Sequence, residues 1–166
     1  MSAVTGKNLI YLYRLASEAS TADGTRIAFT TEDEMSISSD ADATATKDGS
    51  VRGASVPELE KTCSSLMDAD DPMIGKMKSA ILNGSLVELW EVNLDKPVTG
   101  QTGKFEGTYY QAYLSEFTAS SPADGNVEVS MTFGINGKGA DGSVTVDASQ
   151  QDDGQYTFVD TPKTGQ

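Results

Sequence analysis

The steadiest rhythm in the chain runs through Val127, Val129, Met131, Phe133 and Ile135, with Glu128, Ser130 and Thr132 between them. A period of two puts the first set on one face of a strand and the second set on the other. Upstream, Phe105, Tyr109, Tyr113 and Phe117 share one parity, while Glu106, Thr108 and Glu116 share the opposite one. This predicts a strand over Phe105–Thr118 with its aromatics inward. Ser121 to Asn126 supplies the turn that joins the two into a long hairpin. The run Leu9-Ile10-Tyr11-Leu12-Tyr13 does not alternate. Asn8–Leu15 is therefore predicted as a strand buried on both faces. After the turn signal Asp23-Gly24, a second strand is expected over Arg26–Phe29 and Met35–Ser38. Val56–Leu66 reads as another, with Pro57 at its start or on an edge. Ser85–Leu94 places Leu86, Trp90, Val92 and Leu94 on one face, with Glu88 as the misfit. Ser143–Val146 and Tyr156–Val159 read as two short final strands.

One segment has the helical period instead. Asp71 is a suitable N-cap and Pro72 a suitable first helical residue, where a missing N–H costs nothing. Met73, Ile74, Met77, Ile81 and Leu82 then fall on one side, with Lys76 and Lys78 on the wet side. Asn83-Gly84 supplies the stop. A single flanking helix over about 71–83 and about eight strands predict a mainly β chain, an antiparallel sandwich or barrel. Residues 39–55 stand apart. Their one large apolar side chain is Val51, so the stretch cannot bury a face and reads as mobile by itself, or as a polar extended arm that orders against a partner. No linker or repeat divides residues 1–166, which are read as one domain.

Charge narrows the functions. Twelve basic against twenty-five acidic residues give a net charge of −13, and histidine is absent. Gripping nucleic acid through phosphates needs clustered Lys and Arg. Histidine-based nucleophile activation and histidine-ligated metal sites are excluded. Cys63 is the single cysteine; it forms no disulfide within the chain and reads as a small buried hydrophobe. Gly137-Lys138-Gly139-Ala140-Asp141-Gly142 matches the dinucleotide-binding glycine pattern, but a strand rather than a helix follows, so it reads as a turn. Gly103-Lys104 and Gly137-Lys138 lack the spacing of a phosphate loop. Asp40, Asp42 and Asp48 miss the glycine and glutamate that a calcium loop needs. No enzymatic route, cofactor or metal emerges. The first fifteen residues lack a secretory core and cleavage site, and no run approaches the roughly 18–20 residues of a membrane span. Synthesis in a cytoplasm, with no signal peptide and no membrane insertion, is the expectation.

Four segments carry a family resemblance: Gly6–Leu15 (GKNLIYLYRL), Thr31–Gly49 (TEDEMSISSDADATATKDG), Ile81–Leu94 (ILNGSLVELWEVNL) and Tyr109–Gly142. In order and content they resemble the major tail proteins of long-tailed phages, of the lactococcal type found in phages of Gram-positive hosts. The resemblance implies hexameric rings stacked into a tail tube, an inner barrel closed by strands of six subunits, and long loops between rings. It implies partners as well: tape-measure, tail-terminator and distal-tail proteins, with double-stranded DNA in transit. Some relatives carry an extra C-terminal immunoglobulin-like domain, and none is expected here.

On that reading, the carboxylate and hydroxyl face of the long hairpin lines the lumen. Glu116, Glu128 and Thr132 are the leading candidates and Glu34 a further one. Asp40, Asp42, Thr44, Thr46, Lys47, Asp48 and Arg52 are the candidate arm residues contacting other subunits or rings. The competing readings are a monomeric surface or secreted β-sandwich that binds a small ligand or glycan, and a neck or decoration protein of the same virion.

Overall fold

The computed structural model describes residues 2–147, 150 and 160–163. The strand expected at Tyr156–Val159 lies outside them. Among the described residues the order is β1 (Leu9–Leu15), β2 (Thr30–Ser38), β3 (Ala43–Thr46), β4 (Gly49–Arg52), β5 (Glu58–Leu66), α1 (Pro72–Asn83), β6 (Val87–Pro97), β7 (Lys104–Ser120) and β8 (Glu128–Thr145). Six strands form one antiparallel sheet in the order β1-β6-β7-β8-β5-β2, and β3 pairs with β4.

Two long strands organise this sheet. The first half of β7 pairs with β6 and with the end of β8. Its second half pairs with the start of β8, which pairs on its other side with β5. Between the halves both strands break register. β7 carries an extra residue between Leu114 and Glu116, and β8 advances from Asn136 to Ala140 while β7 moves only from Gln111 to Tyr109. Gly137 (φ 70°) and Gly139 (φ 79°) take the left-handed conformations that this irregular stretch requires. A Cβ on Gly139 would also lie 2.5 Å from the Tyr110 ring. Such bulges bend and twist strands, and here the two halves of the sheet fold over one another. Tyr13 of β1 meets Phe133 of β8 at 5.6 Å between ring centroids, although the two strands are not neighbours in the sheet.

The main core fills that fold. Tyr11, Tyr13, Val87 and Leu89 come from one half and Cys63, Val129, Met131 and Phe133 from the other. Helix α1 adds Met73, Ile74, Met77 and Ala80. A second cluster, Ile10, Leu12, Val92 and Val146 with Trp90 and Phe105 against it, covers the reverse of the β1–β6 half. Alternate residues of β1 thus enter different clusters, which is why its apolar run is continuous. The helix forms as its ends dictate: Asp71 Oδ1 accepts from the Met73 N–H at 2.9 Å, Pro72 opens the first turn, and Gly84 closes it at φ 64°.

Several sequence expectations are corrected. Residues 26–29 precede the strand, which starts at Thr30. Ser143–Thr145 is no separate strand but the end of β8, and the Gly137–Gly142 stretch is an irregular part of that strand rather than a turn. Tyr110, Ala112 and Leu114 are the inward residues of β7, while Tyr113 is 46% exposed. The aromatics at 105, 109 and 113 do share a face, but it is the reverse one; Phe117 turns inward only after the extra residue at Leu114/Glu116. On β6 the odd positions Val87 and Leu89 enter the main core, opposite to the face chosen from sequence. Glu88 is no misfit there, because it pairs with Arg14 at 2.9 Å and accepts from the Tyr109 hydroxyl at 3.1 Å. Leu82, placed on the buried side of the helix, is 75% exposed.

Candidate functional site

The register of β2, β5, β8 and β7 draws one continuous face. Directly paired residues of an antiparallel ladder point to the same side. Glu34 pairs with Thr62, Thr62 with Thr132, and Thr132 with Glu116, so the four form one row across four strands. The row on one side is Glu32, Ser64, Ser130 and Thr118. The row on the other is Ser36, Glu60, Gly134 and Tyr113. Glu128 lies beyond, opposite Ser120. Glu34, Glu116, Glu128 and Thr132 are therefore co-facial, on the side away from the main core. Glu32, Glu58 and Glu60 on the same side were not singled out from sequence. The alternation of β2 and β5 could have found them, but β2 changes register between Thr30 and Glu32 and its pattern reads weakly.

No cation sits on this face. Among residues 30–38, 58–66, 113–120 and 128–136 the one lysine or arginine is Lys61, and it points the other way, 0% exposed. Its Nζ donates to Asp33 Oδ1 and to the Thr62 carbonyl, each at 2.7 Å, and lies 4.1 Å from the Tyr11 ring centroid. The Tyr13 hydroxyl reaches Asp33 at 3.4 Å, and the Tyr11 hydroxyl donates to Glu91. Burial, reinforced by the Asp33 charge, pushes the Cys63 thiol up to about 11. Burial also holds the Tyr13 phenol well above its ordinary value. A buried cation is kept only when paired and hydrogen-bonded, and this one is. These four segments thus sequester their one positive charge inside and leave carboxylates and hydroxyls outside.

The polar stretch after β2 is a hairpin. Ser38 pairs with Glu58, the Ser55 N–H donates to the Asp40 carbonyl at 3.0 Å, and Ala43 to Thr46 pairs with Gly49 to Arg52. The β2–β5 ladder thus runs on into β3–β4, an extension of roughly 25–30 Å at about 3.3 Å per residue. Thr44 pairs with Val51. Lys47 and Asp48 form the turn, capped by the Thr46 hydroxyl accepting from the Asp48 N–H, with Gly49 at φ 119°. Arg52 donates to the Ala41 carbonyl at 2.8 Å, and Asp40 and Asp42 lie at the base. Every residue from 39 to 56 is exposed. Sequence reading missed the pairing because nothing in the stretch alternates between apolar and polar.

Among the described residues no group of three or more His, Cys, Asp or Glu side chains is placed to hold a metal ion, and no helix is long and apolar enough to cross a membrane. The Trp90 ring is engaged on several sides: it lies between Arg14 at 4.9 Å and Tyr109 at 5.4 Å, with Gly24 packed against its edge.

Comparison with known proteins converges on one family and one fold. The chain is 30% identical over 138 residues to a protein described as a tail protein of Staphylococcus phage phiMR25, covering 82% of this chain and 70% of that one. The fold is similar to the SPP1 tail tube, with a TM-score of 0.76 at 16% identity over 99% of this chain and 95% of that one. It is also similar to the tail of a gene transfer agent particle refined with C6 symmetry, at a TM-score of 0.65 and 12% identity, covering 83% and 98%. The phage tail tube protein family matches residues 3–157, and the chain belongs to that family, as a structural protein of the virion tail.

Proposed function

We propose that six copies of this chain close into a ring, that rings stack into the tail tube, and that the carboxylate face of β2, β5, the first half of β8 and the second half of β7 lines the lumen. The absence of any cation from that face carries the reading. Double-stranded DNA bears one negative charge per about 1.7 Å of axis, and each lysine or arginine that neutralises a phosphate releases counterions and holds the duplex. A conduit needs the opposite. Glu32, Glu34, Glu60, Glu116 and Glu128, spaced by Ser and Thr hydroxyls, keep a hydrated negative wall from which phosphates are repelled. β2 is an edge strand with an unpaired rim, and an exposed rim is a template for pairing with another chain. Closure across subunits would satisfy it. Residues 1–166 act as a single tube domain. The hairpin bearing Asp40, Asp42, Thr44, Thr46, Lys47, Asp48 and Arg52 reaches the next subunit or ring. The finished tube meets a tape-measure protein within, and tail-terminator and distal-tail proteins at its ends. Synthesis in the host cytoplasm precedes assembly.

The test replaces Glu116 and Glu128 together by lysine. Tubes of normal diameter should still form, since both side chains are exposed. Phage carrying them should eject DNA more slowly, and purified tubes should retain duplex DNA in a salt-dependent way. Ejection at the wild-type rate, with no DNA retained at low salt, would refute the lumen assignment.

A further inference from the structure

The arm leaves one end of the β2–β5 pair, and an unusual aromatic sits at the other. Phe29, just before β2, has φ 54° and is the one non-glycine residue with a positive φ among those described. Its side chain is 64% exposed. A bulky residue in the left-handed region is strained and persists only where its surroundings dictate it. Here they do. The Ala28 N–H donates to Asp71 Oδ2 at 2.8 Å, the Thr30 hydroxyl donates to the Ile27 carbonyl at 2.8 Å, and the Leu66 N–H donates to the Phe29 carbonyl at 3.0 Å. Asp71, the cap of α1, therefore also clamps the turn that thrusts the Phe29 ring outward. At the same end, after β5, Met67 is 42% exposed. Phe29 lines a cleft of about 950 Å³ with Thr30, Thr31, Glu32, Asp70, Asp71 and Pro72 along one part of it. Lys7 and Arg26 line it as well, and Arg26 is engaged with the Gln150 carbonyl at 3.1 Å.

We infer that the Phe29–Met67 end of one copy is the seat for the β3–β4 hairpin of a second copy in the adjacent ring. The inference rests on the tube reading given above and names the surface that receives the arm. Three observations choose this occupant. Donor and acceptor lie at opposite ends of the same two strands, so the contact is head-to-tail, the kind that runs on along an axis when its rotation does not close a ring. Both ends expose apolar side chains that the fold leaves uncovered: Ile37 at 65%, Val51 at 60% and Val56 at 85% on the arm and its root, Phe29 and Met67 at the far end. The hairpin Ala43–Arg52 carries Lys47 and Arg52 against Asp48 alone, a net positive segment in a chain of −13. The seat presents Asp68 and Asp70, next to Met67. The apolar residues would supply the affinity, and Lys47 and Arg52 would orient the hairpin toward the acidic seat.

Phe29→Gly is the cleanest variant, because glycine prefers the observed φ and removes only the ring. The fold should be at least as stable as wild type in urea, while the critical concentration for tube formation should rise about tenfold or more, given what burying one large apolar side chain contributes. A second measurement uses proximity. Tubes grown from a mixture of Val51→Cys and Met67→Cys chains should give disulfide-linked pairs on oxidation, and the double variant should give a ladder running past six copies. Cys63 is buried and stays out of the reaction. The inference is overturned if Phe29→Gly assembles at the wild-type concentration, or if well-formed mixed tubes give no cross-link. It is also overturned if the ladder stops at six, which places the contact within a ring, or if Phe29→Gly loses stability, which means that the chain covers the ring itself. Wild-type protein that forms no tubes under any condition would instead bring down the tube reading, and this inference with it.

Discussion

The four strands β2, β5, β8 and the second half of β7 have two faces built from the same backbone, and they answer to different constraints. One face holds Cys63, Val129, Met131 and Phe133, each at 0–1% exposure. The other holds Glu34, Thr62, Thr132 and Glu116 in a single row. The first must satisfy packing and pay for a buried lysine; the second touches little and is free to carry charge. Stability should therefore be encoded on one side and surface potential on the other, so that each can be changed without the other.

The sharpest break in that division is the buried ion pair. Asp33→Ala would strand Lys61, at 0% exposure, without its 2.7 Å partner. Removing one member of such a pair typically costs about 3–5 kcal/mol, a large share of a stability of roughly 5–15 kcal/mol. Urea unfolding should show it as a lower midpoint. The double variant Asp33→Leu with Lys61→Met should recover most of the loss, because well-packed apolar residues often replace an ion pair without penalty. A double variant as weak as the single one would mean that the pair does more than cancel its own charge.

A second, smaller effect distinguishes the core side by pH. The Cys63 thiol is raised from 9.0 to about 11. Below pH 9 it is protonated in both folded and unfolded chains, so its contribution is fully present. Between about 9 and 11 the unfolded thiol loses its proton while the folded one keeps it. Stability then falls by up to roughly 1.4 kcal/mol per pH unit, about 2–3 kcal/mol in all. Tyr11, Tyr13 and Tyr110, all raised from 10.0 mainly by burial, add to the decline above pH 10. Cys63→Ala should flatten the urea midpoint between pH 9 and 10 and leave the steeper fall above it. An unchanged slope would show that the thiol does not titrate with unfolding.

The two faces were not equally legible in the sequence. β8 alternates without interruption from Val127 to Ile135, and its parity located both the core residues and Glu128 and Thr132. β7 misled because one extra residue between Leu114 and Glu116 reverses its parity midway. Aromatics at 105, 109 and 113 looked like core because they are large, yet the second, smaller cluster on the reverse face takes Phe105. Glu116 does fall on the face opposite Phe117, as its parity predicted, since both residues follow the reversal. The hairpin was illegible as a hairpin: its pairing is made of backbone bonds and a Thr46–Asp48 turn contact, and no burial pattern records it. Phe29 left no trace either, because a strained φ is set by Asp71 forty-two residues away, through the Ala28 N–H. Bulges and clamps of this kind are properties of pairing partners, which a single strand's pattern does not contain.

The smallest expected effect is the most informative about the polar face. Replacing Glu34, Glu60, Glu116 and Glu128 by glutamine keeps size and hydrogen-bonding capacity and removes four negative charges. Each side chain is exposed, and substitutions at such sites typically move stability by no more than about 0.5 kcal/mol. Here the sign should be slightly favourable, because like charges set in neighbouring rows of one sheet repel. The urea midpoint should hold or rise a little, and the rise should vanish at high salt, where screening shortens the reach of charge to a few ångströms. Tube assembly should persist, while low-salt passage of DNA slows as the wall loses its repulsion. A marked loss of stability in this quadruple variant would show that the carboxylates take part in the fold, and the separation of packing from potential between the two faces would fall.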